Sequence, residues 1–406
     1  MKNIAVFVES FCAYGRALCD GISDYARKRR DWTLYLSSRK ELVSPNHVYD
    51  GVIARIIDDS LARGLAAGGV PVVDLYGRRG GAPDFPTVMP DHAALARRAA
   101  GYFRERFYEH FAYCGFDDFT FSALRRDAFA AELARHGHAC DVYAPRGRAA
   151  AGPEQGFYRR EEADRIPDRE ELAAWAKSLP RPVAVFCCNS LRAYQLFRIC
   201  RAVGVDVPRD CAILAGDEDP VLCLFADPAL SSIDPNPHAV GRMAAERLDA
   251  ILSGGGRRRA AARASVTLVP PGGLTERAST AFYPTTPEWL SDVLAFVDAN
   301  LHRPVQAAEV FARAPVSHTV VERVFRRRFG VSVLGYITEA HLAVALRLLR
   351  ETDMRVFEVA HLAGFASSAY FCRVFRTRYG CSPRAFRTMP RRFAMMRSAT
   401  SGRFIV

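Results

Sequence analysis

The sequence predicts an α/β region built on parallel sheets with helices on both faces, followed by an all-α domain with two helix-turn-helix units. Three observations indicate this architecture. Strand-like and helix-like periods alternate over the first 270 residues, the pattern is helical throughout after residue 284, and arginine is concentrated in that second part.

Short apolar runs mark the buried strands of the first part. Helical patterns separate them, and this alternation is typical of a mostly parallel sheet covered on both faces. The runs are IAVFV (4–8), WTLYL (32–36), GVIARI (51–56), VPVVDLY (70–76), FAYCGF (111–116), VAVFCC (183–188) and CAILAG (211–216), with helices expected over Ala93–Arg106, Leu124–His136, Leu191–Val203 and Ala239–Leu252.

Polar residues after these strands are candidates for ligand binding, because parallel sheets bind ligands at the carboxyl ends of their strands. The strongest candidate is ILAGDEDP (213–220), a strand that delivers three carboxylates into a loop. An ionised carboxylate accepts hydrogen bonds from two neighbouring hydroxyl groups, so we predict that Asp217 binds a sugar. The alternative is that Asp217 caps the helix that follows.

Other strand ends supply further candidate ligand residues. Arg125 offers a fork of donors to sugar hydroxyl groups, and Phe11 or Tyr14 offers a face to the apolar side of a pyranose ring. The remaining candidates are residue types that are also common at turns for backbone reasons: Ser10, Asp91, Asn189 and Asp234.

The second part begins after a strand-like VTLVPP (266–271) and a segment rich in Pro, Gly, Ser and Thr that ends near residue 284. Breaks of two to five residues separate its helices, which is short enough for a compact domain. The expected helices are Glu288–Asn300, Gln306–Ala312, Ser317–Phe329, Ser332–Glu351, Val356–Ala363, Ser368–Tyr379 and Pro383–Arg387.

One motif occurs twice among these helices. QAAEVFARAPVSHTVVERVFRRRFG (306–330), with an N-cap at Ser317, and VFEVAHLAGFASSAYFCRVFRTRYG (356–380) each consist of a helix, a turn and a second helix, and both end in V-F-R-x-R-[FY]-G. The helix Ser332–Glu351 between them spans roughly 30 Å, close to the roughly 34 Å between successive major-groove faces of DNA. We therefore predict two recognition helices that reach one side of a duplex.

The face of each second helix opposite its apolar stripe is expected to contact DNA. Arginine bonds guanine bidentately, whereas outer arginines contact phosphate. We predict base contacts by Arg323 and Arg373 and phosphate contacts by Arg326, Arg376 and Arg378. The other residues of these faces are His318, Thr319 and Glu322 in the first helix and Ser368, Ala369 and Cys372 in the second. The alternative is that any one of these arginines forms only a solvated surface.

Composition narrows the class of protein. Residues 282–406 hold 18 arginines, no lysine and 9 acidic residues, and so carry +9 of the chain's net charge of +12, which favours a polyanion as partner.

The eleven cysteines include no C-x-x-C pair, so neither a metal site nor disulfides are expected. Because G-x-G-x-x-G and P-loop motifs are absent, we expect no cofactor. No run of eighteen apolar residues occurs, and a cytoplasmic, nucleoid-associated location without membrane contact is expected.

The C-terminal motif resembles a known family. The segment EVAHLAGFASSAYFCRVFRTRYGCSPRAFR (358–387) resembles the AraC/XylS family of transcription regulators, and residues 288–387 match its full two-unit domain. The sequence departs from the family at Ala363–Ala366 and in LAVALRLL (342–349), where the family usually carries more charge. The resemblance implies a DNA-binding domain.

The first 280 residues resemble the LacI-type, periplasmic-binding-protein-like sensor domain, which implies two lobes with a ligand cleft lined by Arg125, Asn189 and Asp217. Two departures put the identity of the ligand in doubt. Ser190 stands where such sensors often have Asp, and Arg55 stands where a sugar-operon activator that joins the same two domains has an acid. The segments that carry the resemblance are DGVIA (50–54), VPRDCAILAGDE (207–218), LSSI (230–233), VPP (269–271) and ERAST (276–280).

Together the resemblances imply a sugar-responsive transcription regulator. It is expected to activate carbohydrate-utilisation genes, to bind xylose or a related monosaccharide, and to act as a homodimer on promoter or operator DNA, with RNA polymerase as a further partner. The expected domains are the sensor (1–280), a linker (281–287), the DNA-binding domain (288–390) and a basic tail (391–406).

Three alternatives remain open: a carbohydrate-processing α/β enzyme fused to a DNA-binding domain, a regulator that senses a non-sugar molecule, and a transport-type sugar-binding protein. The carboxylates at 217–219 permit the enzyme, but the sequence shows no ordered nucleophile and base and no metal-ligand spacing such as H-E-x-x-H. The absence of an export signal argues against the transport protein. We therefore expect no catalytic activity.

Overall fold

Two compact units make up the part of the chain that the computed structural model describes, which is residues 1–37, 49–77, 85–116, 119–144, 166–254, 265–285 and 287–388. The first unit comprises Met1–Gly101 and Glu109–Ala281, and the second comprises Tyr102–Tyr108 and Phe282–Val406. The expected tail, 391–406, lies outside the described residues.

The first unit contains two six-stranded sheets, one for each lobe of an α/β fold. Their strands are β1 Lys2–Phe7, β2 Trp32–Ser37, β3 Gly51–Ala54, β4 Val72–Asp74, β5 Thr87–Pro90, β6 His110–Cys114, β7 Cys140–Val142, β8 Val183–Cys187, β9 Cys211–Ala215, β10 Ser231–Ile233, β11 Val266–Val269 and β12 Leu274–Thr275. The strand order is β11-β5-β4-β3-β1-β2 in the first sheet and β12-β10-β9-β8-β6-β7 in the second. The predicted parallel sheets are confirmed, and within the described strands only β10 and β12 pair antiparallel.

Helices cover these sheets and connect their strands. They are α1 Ala13–Arg29, α2 Asp59–Ala67, α3 His92–Glu105, α4 Thr120–Arg135, α5 Arg169–Ser178, α6 Ser190–Val203, α7 Pro220–Phe225 and α8 Pro237–Ser253. The helices α1 and α8 pack closely, since a Cβ on Gly21 would lie 2.0 Å from the carbonyl oxygen of His238. Apolar strand residues such as Ile4, Ile53, Val185 and Ile213 are fully or almost fully buried beneath the helices, which explains the continuous apolar runs in the sequence.

The chain crosses between the two sheets next to Asp234. The backbone N–H of Asp234 donates to Gly273 O at 2.9 Å, Gly272 N–H donates to Asp234 O at 2.8 Å, and Asp234 Oδ1 accepts from Asn236 N–H at 2.7 Å. A Cβ on Gly272 would lie 2.6 Å from Asp234 Oδ2, so a larger residue there would displace this carboxylate. Asp234 therefore holds a turn.

The second unit is helical, as predicted. Its helices are α9 Trp289–Ala299, α10 Ala307–Arg313, α11 His318–Phe329, α12 Val333–Glu351, α13 Val356–Leu362, α14 Ser368–Tyr379 and α15 Pro383–Thr388. Two separate apolar cores lie on either side of α12: Phe325 and Tyr336 belong to the first, and Phe371 and Phe375 to the second. The predicted repeat is thus also a repeat of packing, with one core for each helix-turn-helix unit.

Two segments outside the predicted domain also belong to the second unit. Tyr283, in the expected linker, is buried in the first core. Residues 102–108, the last turn of α3 and the loop after it, also belong to this unit, with an ion pair of 3.4 Å between Arg106 Nη2 and Asp298 Oδ2 and a ring contact of 5.7 Å between Phe107 and Phe329. The helical unit is therefore larger than residues 288–390.

Among the described residues, no single helix has the length and apolar content needed to cross a membrane. One bent pair, His318–Phe329 with Val333–Glu351, reaches that length and composition only when both halves are taken together across a bend of 52°.

Candidate ligand cavity and nucleic-acid interface

A cavity of about 350 Å³ lies in the first unit, at the end where β1, β6, β8 and β9 finish. This volume is at the lower end of the roughly 300–1,000 Å³ typical of small-molecule sites. Its lining is Phe11, Cys12, Ala13, Tyr14, Arg16, Arg55, Leu75, Tyr76, Pro90, His92, Phe116, Phe119, Phe121, Arg125, Asn189, Ser190, Leu191, Asp217, Glu218, Asp219, Val221 and Leu222. Five predicted ligand residues are among them: Phe11, Tyr14, Arg125, Asn189 and Asp217.

Asp217 follows β9 and is fixed by Ser190. Its Oδ1 accepts from the backbone N–H and from the hydroxyl of Ser190, both at 2.6 Å. Of the described residues none donates to Oδ2, so this oxygen is left for a ligand. Burial raises the pKa of Asp217, while the bonds from Ser190 and the charge of Arg125 act in the opposite direction. The helix α7 is capped instead by Asp219, whose Oδ1 accepts from Val221 N–H at 3.0 Å.

Arg125 is held in the cavity wall by two hydrogen bonds. Its Nε–H donates to His92 Nδ1 at 3.2 Å, and its Nη1 donates to the carbonyl oxygen of Cys188. Gly216 makes this position possible, because a Cβ there would lie 2.6 Å from Cys188 O and 3.0 Å from Arg125 Nη1. Burial and the positive charges of Arg125 and Arg55 lower the pKa of His92 well below its usual range. The imidazole is therefore neutral, with its proton on Nε2.

Arg55 and several aromatic residues were not predicted as site residues. Arg55 pairs with Glu9 at 3.2 Å, and its guanidinium lies 5.4 Å from the ring centroid of Tyr14 and 5.3 Å from that of Tyr76. Both partners of the ion pair are 8% exposed as side chains. The position of Arg55 in the sequence does fit a ligand residue, because it directly follows the strand GVIA (51–54). Asp217 has a similar position, since one glycine separates it from the end of β9.

Three predicted ligand residues lie outside the cavity lining. Ser10 is exposed, and its carbonyl oxygen accepts from Arg16 at 3.3 Å. Asp91 caps the start of α3 by accepting from Ala94 N–H at 2.8 Å, and Asp234 holds the crossover turn. Their positions after strands reflect backbone capping, the alternative weighed above for Asn, Asp and Ser. Asn189 lines the cavity and also caps a helix, because its Oδ1 accepts from Arg192 N–H at 2.9 Å at the start of α6.

The second unit presents two recognition helices, each held by an apolar stripe. In α11 the stripe is Val321, Phe325 and Phe329, and in α14 it is Phe371, Phe375 and Tyr379. Glycines in the left-handed region end both helices: Gly330 has φ 76° and Gly380 has φ 69°. Ser317 and Ser367 are the N-cap residues, and only the side chain of Ser367 makes a capping bond, from Tyr370 N–H at 3.2 Å.

The outward faces of these helices carry most of the predicted DNA contacts. The exposed members are His318, Thr319, Arg323 and Arg326 on α11 and Ala369, Arg373 and Arg376 on α14. Ser368 and Cys372 are half-buried. These exposed arginines stand on one side of each helix, opposite its buried aromatic residues.

Three predicted DNA-contacting residues have charged partners within the protein: Glu322, Arg326 and Arg378. Glu322 accepts from Val333 N–H at 3.4 Å and lies 3.6 Å from Arg326 Nε, so it supports the turn after its helix. Arg378 pairs with Glu339 on α12 at 2.7 Å, which leaves fewer of its donors for phosphate. The pair Glu322–Arg326 has the i, i+4 spacing of one helix, whereas the contacts of Glu322 with Val333 and of Arg378 with Glu339 join different helices and follow no local sequence pattern.

Comparison with known families agrees with the division of the chain into two units. A family model described as "periplasmic binding protein-like domain" matches residues 100–280, and one described as "helix-turn-helix domain" matches residues 310–389. The first match includes the second sheet of the first unit, and the second includes both recognition helices.

Curated relatives extend the similarity along nearly the whole chain. The xylose operon regulatory protein of Haemophilus influenzae is 23% identical over 398 residues, covering 95% of this chain and 98% of its own length. The protein of the same name from Escherichia coli K12 is 23% identical over 386 residues, covering 92% and 94%.

Solved structures show the same fold. The structure of the xylose-binding transcription activator xylR matches with a TM-score of 0.57 at 22% identity, covering 95% of this chain and 97% of that one. The cellobiose complex of the transcriptional regulator CelR matches with a TM-score of 0.53 at 19% identity and covers 69% of this chain and 84% of that one. The chain therefore joins a periplasmic-binding-protein-like domain to a C-terminal helix-turn-helix domain of the AraC type, in the arrangement of the xylose operon regulatory proteins.

Proposed function

We propose that the protein is a sugar-responsive, DNA-binding transcription regulator that activates carbohydrate-utilisation genes. The observation that carries this proposal is the contrast between the two units: one encloses a polar and aromatic cavity, and the other exposes arginines on two equivalent recognition helices. The relatives named above, which match nearly end to end, are regulators of a xylose operon by name.

The cavity supports a sugar or sugar derivative as effector. Asp217 Oδ2 accepts hydroxyl donors, and Arg125 and the amide of Asn189 donate to oxygen acceptors. The rings of Phe11 and Tyr14, which line the cavity beside these groups, suit the apolar side of a sugar ring. Xylose is one candidate among monosaccharides, and the small cavity volume favours a single ring over a longer saccharide.

The recognition helices support double-stranded DNA as partner. The arginines of their outward faces are exposed, while Phe325 and Phe375 at the opposite faces are fully buried, so binding to DNA requires no rearrangement of either core. The helix α12 between them has 19 residues and is thus roughly 28 Å long, near the roughly 34 Å repeat of the major groove. We propose base contacts by Arg323 and Arg373 and phosphate contacts by Arg326 and Arg376.

Regulation requires that the effector bind two states of the protein with different affinity. In the proposed mechanism the effector closes the two lobes over the cavity, and closure changes how two protomers pair on a repeated DNA site. Homodimer formation, contact with RNA polymerase and a cytoplasmic, nucleoid-associated location belong to this proposal.

The enzyme alternative lacks a specific supporting observation. Asp217, Glu218 and Asp219 each have a structural partner: Ser190, Arg277 and the start of α7, respectively. Moreover, the relatives described above are named as regulators.

The direct experiment is DNA binding by the full chain in the presence and absence of sugars. DNA sites are first selected from a random pool, and affinity is then measured with and without each member of a panel of monosaccharides and their acids. We expect one member of the panel to change the affinity for the selected site. Binding of no member of the panel, or turnover of one of them, contradicts the proposal.

A further inference from the structure

Four arginines in the described part of the chain are almost fully buried, and three of them have a carboxylate partner. Arg55 pairs with Glu9 at 3.2 Å, Arg192 with Asp168 at 2.6 Å, and Arg106 with Asp298 at 3.4 Å. Burying a charge is unfavourable unless an opposite charge and hydrogen bonds compensate it. These three pairs follow that rule.

Arg125 is the exception. Its exposed fraction is 3%, its Nε–H and Nη1 bind a neutral imidazole and a carbonyl oxygen, and no carboxylate of the described residues lies within 4.0 Å of its guanidinium. Neither hydrogen-bond partner carries a negative charge. The group Nη2 has no partner in the described chain. Since Arg125 lines the cavity, a ligand is the available source of a counter-charge.

The nearby charges do not supply this counter-charge. Asp217 acts on Arg125 only at longer range, because no Asp217 oxygen lies within 4.0 Å of the guanidinium and Oδ1 is bound by Ser190. Glu218 is paired with Arg277. Among the described residues, the cavity therefore presents one guanidinium without a carboxylate partner and one carboxylate oxygen without a donor, beside the amide of Asn189 and the Nε2–H of His92.

We infer that the effector is a sugar acid, whose carboxylate pairs with Arg125 and whose hydroxyl groups bind Asp217. This inference rests on the proposed function, because it concerns the same cavity. Guanidinium binds a carboxylate through parallel N–H donors, a geometry that a single hydroxyl group does not use fully. His92 is a positioning residue, since its Nδ1 holds the guanidinium in place and its Nε2–H is a further donor.

The test compares matched ligands on the full, unmodified chain. Binding of D-xylose and D-xylonate, and of D-glucose, D-gluconate and D-glucuronate, is measured by calorimetry, with sodium acetate as the control for simple anions. A charge-assisted pair predicts that an acid binds about 10- to 100-fold more tightly than its neutral sugar. An equal or weaker affinity for the acids overturns the inference while leaving the proposed function intact. Binding of none of the sugars or acids contradicts both, and equal binding of acetate overturns the sugar-acid site.

Two variants locate the carboxylate. Arg125→Gln removes the charge but keeps amide donors, so the preference for the acid is expected to fall to about one. Asp217→Asn is the matched control, and it is expected to weaken acid and neutral sugar by the same factor, because both carry the hydroxyl groups. A preference that survives Arg125→Gln contradicts the assignment. If Arg125→Gln does not fold, the ratio of acid to neutral-sugar affinity on the unmodified chain still tests the inference.

Discussion

Arginine has opposite surroundings in the two units of this protein. Arg125 in the cavity is 3% exposed and fixed by His92 and Cys188, whereas the arginines on the outward faces of the recognition helices are exposed, and Arg326 keeps 71% of its side-chain surface open to solvent. A desolvated charge selects one small partner by geometry, while solvated charges bind a long polyanion with strong dependence on salt. The same residue type thus serves recognition of a small molecule in one unit and of DNA in the other.

The largest expected effect separates the buried and exposed faces of one recognition helix. Phe375→Ala is expected to lower the free energy of unfolding by about 3–5 kcal/mol, because Phe375 is fully buried in the second core. Its matched control is Arg376→Ala, on the exposed face of the same helix, with an expected change within about 0.5 kcal/mol. Urea unfolding of the full chain measures both, and similar losses for the two variants contradict the assigned faces.

The next effect concerns the cavity. Asp217→Asn is expected to weaken effector binding by about 10- to 100-fold, because a hydrogen bond to a charged group contributes about 1.5–3 kcal/mol. Burial raises the pKa of Asp217, so binding by the unmodified chain weakens as pH falls through that raised pKa, whereas binding by the variant does not. Calorimetry at several pH values measures this, with the unliganded melting temperature as the control for folding. Unchanged affinity removes Asp217 from the site.

The recognition helices give the third effect. If Arg373 contacts a base, Arg373→Ala is expected to lower discrimination at one position of the site by about 1–3 kcal/mol. Arg376→Ala is instead expected to weaken binding to all sequences alike and to reduce the salt dependence by about one phosphate contact. Affinities on a panel of single-base variants distinguish the two. A uniform loss for Arg373→Ala assigns that residue to the backbone.

The smallest effect concerns the capping box at the start of α10, in the first helix-turn-helix unit. Arg303 and the backbone N–H of Gln306 lower the pKa of Glu309 to about 2, at the capping box of α10. Because this pKa is below the ordinary value of 4.5, the stabilisation is present above about pH 4.5 and is lost as pH falls toward about 2. Glu309→Gln is expected to lower the melting temperature slightly at neutral pH and not at all near pH 2. Equal shifts at both pH values contradict this role.

The sequence predicted the helical unit better than the cavity. Each recognition helix has an apolar stripe, a serine N-cap and a terminal glycine within one short segment, and these local signals placed the ends of α11 and α14 within one residue. Short elements such as β7 and β12 lack a full period of any pattern and were not predicted, and α7 entered only as the helix that Asp217 was alternatively expected to cap. Their positions depend on packing with distant strands.

The cavity depends on contacts that are distant in sequence. Asp217 was predicted because it follows a strand, and Arg125 because it was expected at the start of a helix, although α4 begins five residues earlier, at Thr120. The same rule also selected Asp91, which caps α3, and Asp234, which holds the crossover turn, and neither lines the cavity. The pairs Arg55–Glu9 and Arg125–His92 join residues 46 and 33 positions apart, and no local pattern indicates them. The same holds for Arg378–Glu339, 39 positions apart.

The central claim is that the two units are linked: effector in the cavity changes DNA binding by the recognition helices. The most direct measurement is the affinity of the full chain for its selected DNA site, with and without effector, at several salt concentrations. We predict an affinity that falls steeply with salt and differs between the two ligand states. An affinity that is independent of salt, or that is the same with the cavity empty and saturated, contradicts the account.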